Sequence, residues 1–232
     1  MTSVLTEQLV LELPPPEAPA FENFVPGPNE EVLAAIIRFA AGDTPETGLL
    51  LWGEPGAGKT HLLRAAIGAV GAGGVLLRPP DLVVADVSLL AGYRLVAVDD
   101  VESANAGAQA QLFTLYNVLK SAGGHLLAAS GRPPASLSLR EDVRTRLGWG
   151  LVYEVATLAD ADKHAALVDY ARRRGFALAD EVIRYLLLHS RRDMTELCTT
   201  LAALDRYSLA TKRAITVPLL RDWSARKIAR GV

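Results

Sequence analysis

The sequence predicts an α/β fold: a five-stranded parallel sheet with helices on both faces, carrying a phosphate-binding loop, followed by a smaller all-helical subdomain. Three observations predict it. Short apolar runs alternate with segments of helical periodicity from residue 30 to about residue 155, which implies parallel strands joined by helical crossovers. The stretch GEPGAGKT, Gly53 to Thr60, stands between one such run and one such helix. After about residue 157 the strand signals fade and only helical patterns remain.

The elements follow in order. From Glu30 to Ala41, apolar residues Val32, Leu33, Ile36, Ile37 and Ala40 recur at helical spacing. GLLLWG (48–53) is a short apolar run ending in glycine, a buried strand. A helix begins near Gly58 and carries Leu62, Leu63, Ala66 and Ile67 inward. VLLRP (75–79) and RLVAVDD (94–100) are two more strands, the second closing on two carboxylates. QAQLFTLYNVLKSAG (109–123) is a helix closed by Gly123, where a left-handed C-terminal residue is tolerated. HLLAAS (125–130) and LVYEV (151–155) complete the strands. HAALVDYARRRG, EVIRYLLLHS and MTELCTTLAALDRYSLA are helical with short connections, and a last helix follows Pro218. No internal repeat is visible.

Ahead of these elements lies EQLVLELPPP (7–16), in which Leu9, Leu11 and Leu13 alternate as one face of a strand does. The prolines of PPPEAPA (14–20) then form a semi-rigid tether that separates it from the core, which has its five strands without it. The expected organisation is 1–20 as peptide and tether, 21–157 as nucleotide-binding core and 158–232 as helical lid.

Bulk composition excludes several classes. The 24 basic and 26 acidic side chains give a net charge of −2, without the basic surplus that coating a nucleic-acid backbone requires. The single cysteine, Cys198, rules out an internal disulfide and fits a reducing, cytoplasmic setting. No signal peptide is expected, because the start lacks a basic region ahead of an apolar run. No apolar stretch is long enough to span a bilayer. The four histidines are scattered and show no metal-ligand spacing.

GEPGAGKT matches G-x-x-x-x-G-K-[ST] in the strand–loop–helix context that gives the motif its meaning. Gly53, Glu54, Pro55, Gly56, Ala57 and Gly58 are expected to wrap phosphates with backbone N–H groups at the positive end of a helix. Lys59 would reach the β- and γ-phosphates, and the Thr60 hydroxyl would ligate Mg²⁺. His61 completes the nucleotide-binding run, with a side chain better suited to packing than to catalysis. The partner carboxylate should end a neighbouring buried strand: Asp99 would hold Mg²⁺, directly or through water, and Asp100 would lie near the attacking water. The expected ligand is a nucleoside triphosphate or diphosphate.

Beyond the loop, FENFVPGPNEEVL (21–33), LLLWGEPGAGKTHLL (49–63), LVAVDDVE (95–102), ASGRPP (129–134) and TRLGWGLVYEV (145–155) resemble the DnaA-related AAA+ family of replication proteins, and most closely its shorter regulatory Hda group. GKTH after LLLWG, together with RLGWG, carries most of the likeness, which runs from about Phe21 to Trp223. The resemblance implies an AAA+ core with a helical lid. It implies an arginine finger at Arg146, projected from one subunit onto the nucleotide of another. It also implies that QLVLEL docks on the DNA polymerase III sliding clamp (its beta subunit), with Gln8 at a pocket rim and Leu9, Leu11 and Leu13 in an apolar groove. The implied role is a negative regulator that binds the DNA-loaded clamp and stimulates hydrolysis of ATP on DnaA. DNA is then met only through the clamp, no membrane is involved, and self-association stays open. The sequence runs about ten residues past Trp223, so a helix-turn-helix domain like that of DnaA is not expected.

Three positions depart from the family pattern. Asp100 is one methylene shorter than the glutamate of AAA+ motors; Gly131 replaces an aspartate ahead of RPP, leaving Ser130 as the nearest polar side chain; Thr195 replaces a lid arginine, with Arg191 and Arg192 one turn earlier. Each loss weakens charge stabilisation at the γ-phosphate, so weak intrinsic ATPase activity is expected. Two other readings stay open: a stand-alone ATPase or helicase-loader-like factor, and a recruiter that no longer depends on nucleotide. Cys198 reads as a small packing residue, and Trp52 and Trp149 as packing near the nucleotide or at a subunit face.

Overall fold

In the computed structural model, residues 18–189 and 193–229 are described, the side chains of 227–229 excepted. The opening peptide Gln8 to Leu13, and Arg191 and Arg192, therefore lie outside the described residues. The chain divides into two compact units, the first spanning residues 19–162.

This first unit runs α1 (Glu30–Ala41), β1 (Gly48–Trp52), α2 (Lys59–Val70), β2 (Gly74–Leu77), α3 (Pro79–Val84), α4 (Val87–Leu90), β3 (Leu95–Val98), α5 (Ala106–Ala122), β4 (His125–Ser130), α6 (Glu141–Trp149) and β5 (Leu151–Glu154). The five strands are all parallel, in the order β2-β3-β4-β1-β5. Successive strand residues point to opposite faces, and both faces are covered. Leu49 and Leu51 of β1, with Leu95, Ala97, Leu127 and Ala129, pack against α1 and α2. Leu50, with Val96, Val98, Leu126 and Ala128, packs against α3 to α6. Burial on both faces is why the central strands read as unbroken apolar runs rather than alternating ones.

The structure adds three helices to the sequence-based expectation and shortens four of the five strand runs. The run VLLRP ends as a strand at Leu77, because Pro79 and Pro80 occupy the first turn of α3, where a missing N–H costs nothing. In α6, only Val143 and Leu147 are buried, too few contacts to leave a helical stripe in the sequence.

The second unit begins at Lys163, so most of α7 (Asp160–Arg173) lies in it, followed by α8 (Asp180–His189), α9 (Met194–Thr211) and α10 (Val217–Ala229). Its own core joins Leu167, Val182, Ile183, Leu186, Leu197, Leu201, Leu204, Leu219 and Leu220, with Cys198 partly buried against it. Among the described residues no helix is long and apolar enough to cross a membrane.

Candidate nucleotide site at the carboxyl edge of the sheet

Parallel strands place their carboxyl ends along one edge, and loops there meet ligands. Hydrogen bonds beyond the strands tie that edge together. Gly53 N–H donates to Ser130 O at 3.3 Å, Val155 N–H to Trp52 O at 2.7 Å, and Asp99 N–H to Leu77 O at 3.0 Å. The loop after β1 thus starts between the tips of β4 and β5. At Gly53 a Cβ would stand 2.3 Å from the carbonyl oxygen of Val155, so only glycine lets the loop leave the sheet here. Gly58 has φ 102°, the left-handed region that favours glycine, and ends the loop as the N-cap of α2. No side chain caps α2 and its first turn holds no acid, which leaves its N-terminal N–H groups open to an anion.

Lys59 folds back over the loop, donating to Gly53 O at 2.6 Å and Glu54 O at 3.0 Å. Desolvation pushes its pKa below the ordinary 10.5, while the carboxylates of Glu102, Asp99, Glu54 and Asp100, in falling order, pull it back up. Thr60 Oγ1 donates to Asp99 Oδ2 at 2.7 Å, and Asp99 is buried. These two hard oxygen donors, 39 residues apart in sequence, suit Mg²⁺, which takes one or two protein oxygens and draws the rest from water and phosphate.

The remaining expected residues divide. Asp100 follows Asp99 but stands exposed, with its backbone left-handed at φ 57° and ψ 46°. His61 packs at 5.6 Å from the Phe24 ring and bonds through Nε2 to Ala20 O at 3.0 Å, which joins it to the segment leading into α1. Ser130 is buried and donates to Arg132 O at 2.6 Å, so its hydroxyl is committed to the turn. Thr195 sits exposed in the first turn of α9, capped by Asp193.

Arg146 lies on α6, packed against α5 on the sheet face opposite α2. Its guanidinium stacks 3.8 Å above the Phe113 ring and 5.6 Å from the ring of Trp149, which is 63% exposed. Nε donates to Asn117 Oδ1 at 3.2 Å and one terminal nitrogen to Asp142 O at 3.3 Å. The arginine is held half-buried beside an exposed indole.

Sequence reasoning missed two residues of this edge. Asn29 is buried and exchanges hydrogen bonds with Ala156, Nδ2 to Ala156 O at 2.9 Å and Ala156 N–H to Oδ1 at 2.8 Å. A lone asparagine before a helix reads as an N-cap, and the backbone it stitches lies 127 residues away. Glu102, within the quoted run LVAVDDVE, accepts a hydrogen bond from Gly131 N–H at the tip of β4. Its partner Gly131 lies 29 residues away in the sequence, which hid the pairing.

Comparison with known proteins agrees with this architecture. Residues 17–73 match the family model of the bacterial DnaA ATPase domain, and residues 160–223 match that of the Hda lid domain. Domain III of the Thermotoga maritima replication initiation protein DnaA superposes with a TM-score of 0.75 at 20% identity, over 90% of this chain and 96% of that one. AMPPCP-bound DnaA from Aquifex aeolicus gives 0.68 at 22% identity, over 81% of this chain and 65% of that one. The Thermotoga maritima RuvB Holliday junction branch migration motor gives 0.62 at 16% identity, over 83% of this chain and 66% of that one. This chain thus spans about two thirds of the length of the Aquifex and RuvB chains. At such identities the likeness is one of fold.

Proposed function

Given that this chain is an Hda/DnaA-related AAA+ protein, we propose that it binds ADP or ATP with Mg²⁺ at the loop after β1 and acts as a negative regulator of replication initiation. In this reading Gly53 to His61 hold the phosphates, Thr60 and Asp99 hold the metal, and Arg146 is offered to ATP bound on DnaA. The bound cation would screen phosphate charge, and Lys59 would exchange the carbonyls of Gly53 and Glu54 for phosphate oxygens. Gln8, Leu9, Leu11 and Leu13 would hold the protein on the DNA-loaded sliding clamp, so that hydrolysis is switched on where synthesis has begun.

What carries the reading is Arg146 itself: a charged side chain held by Phe113 and Asn117, on the opposite sheet face from α2 and its phosphate loop. An arginine so placed is suited to completing another subunit's site. The test mixes DnaA carrying ATP with this protein, clamp and DNA, and follows nucleotide loss. Arg146→Ala should remove about a thousandfold or more of the stimulated rate, within the range arginine fingers supply in trans. Equal rates for wild type and variant would sink the mechanism. Deletion of Gln8 to Leu13 should abolish retention on the clamp, and unchanged retention would remove the tether.

A second reading, a stand-alone ATPase or helicase-loader-like factor, draws on the complete Thr60–Asp99 pair. It requires sustained ATP turnover by the isolated protein, whereas the regulatory reading requires turnover to appear with DnaA.

A further inference from the structure

We propose that Glu102, rather than Asp100, is the acid that faces the terminal phosphate of the bound nucleotide, and that it stands in the place a side chain at position 131 would fill. This rests on the nucleotide-binding reading above and deepens it.

The chain leaving β3 makes the arrangement. Asp99 is engaged by Thr60 and by the N–H of Asp100 at 3.1 Å. The left-handed backbone at Asp100 then turns the chain into a short 3-10 segment, Val101–Ser103, anchored by the fully buried Val101. That turn carries Glu102 across to the neighbouring strand, where its carboxylate accepts the N–H of Gly131. Ser130, one residue back, receives the N–H of Gly53, so the anchored carboxylate stands where the tips of β4 and β1 adjoin.

Gly131 shows that the placement is built in. Its backbone is outside the positive-φ region, so conformation does not call for glycine there. A Cβ at 131 would lie 2.8 Å from Glu102 Oε1, the far end of a flexible side chain, so an alanine there would be accommodated by moving the carboxylate off the strand tip. The two residues form a matched pair, one supplying a carboxylate and the other the room for it. A carboxylate held there opposes the extra negative charge of a third phosphate more than that of a diphosphate.

The experiment measures binding of ADP and of the non-hydrolysable AMPPCP, each with Mg²⁺, by calorimetry on the full chain. Glu102→Gln keeps an acceptor for the Gly131 N–H while removing the charge. It should strengthen AMPPCP relative to ADP by about tenfold, while Asp100→Asn leaves the ratio within about twofold. An unchanged ratio in Glu102→Gln, or an equal shift in Asp100→Asn, overturns the assignment while nucleotide binding itself stands. A wild-type protein that binds neither ligand removes the parent reading and this one with it. The volume pairing has its own readout in the same assay. Gly131→Ala, which displaces the carboxylate, should move the ratio in the direction of Glu102→Gln, and an unchanged ratio overturns the pairing.

Discussion

Lys59 is a cation drawn down onto two backbone carbonyls, and its chemistry follows from that position. Burial disfavours the ammonium, so its pKa lies below the ordinary 10.5 despite the acids around it. A phosphate binds the charged form, so affinity is fully present below the pKa of the free protein's Lys59. It is lost as pH rises through that value, earlier than an unshifted lysine would allow. Dissociation constants measured from neutral pH to about pH 10 should weaken along that course, and Lys59→Ala should bind poorly and flatten the profile. A flat wild-type profile would remove Lys59 from phosphate contact. Gly53 has a different constraint, of space and of its positive φ of 153°. Its missing Cβ lets Val155 approach, so Gly53→Ala should cost about 1–3 kcal/mol in denaturant unfolding by forcing the tips of β1 and β5 apart. Unchanged stability would mean that the loop moves freely at its root.

At the scale of elements, the strands were legible because burial on both faces demands uninterrupted apolar residues, and GLLLW and HLLAAS comply. Helix α5 was legible through its apolar face and Gly123, which takes the left-handed conformation at the C-cap. Helices α3 and α6 were not, since one begins with two prolines and the other buries only two side chains. The segment before α1 was hidden for another reason: it is fastened by Asn29 to a chain position that sequence order places far away. Asn29→Ala should leave the N–H and C=O of Ala156 without their partner and destabilise the chain by about 2–3 kcal/mol. Urea unfolding measures it, and a loss under about 0.5 kcal/mol would show that water replaces the amide.

At the scale of the molecule, each unit has a core of its own, and the second adds a buried ionic element. Arg174 and Asp205 face each other at 3.8 Å with side chains only 12% and 10% exposed, and the guanidinium lies 5.7 Å from the Tyr170 ring. Removing one partner strands a buried charge, so Asp205→Ala should cost about 3 kcal/mol, while Arg174→Met with Asp205→Leu should cost far less. Equal losses in the two would indicate that packing, not charge, sets the value.

The sequence by itself determined the α/β class, the five parallel strands, the phosphate loop and the position of Asp99, because periodicity and motif spacing are local properties of the chain. Only the tertiary structure decided which acids gather at the sheet edge, what Asn29 fastens and how Arg146 is held. Those outcomes depend on strand order. The sheet sets β3 beside β4 and β4 beside β1, so Glu102, Gly131 and Gly53 become neighbours through parallel pairing that their spacing in the sequence does not encode.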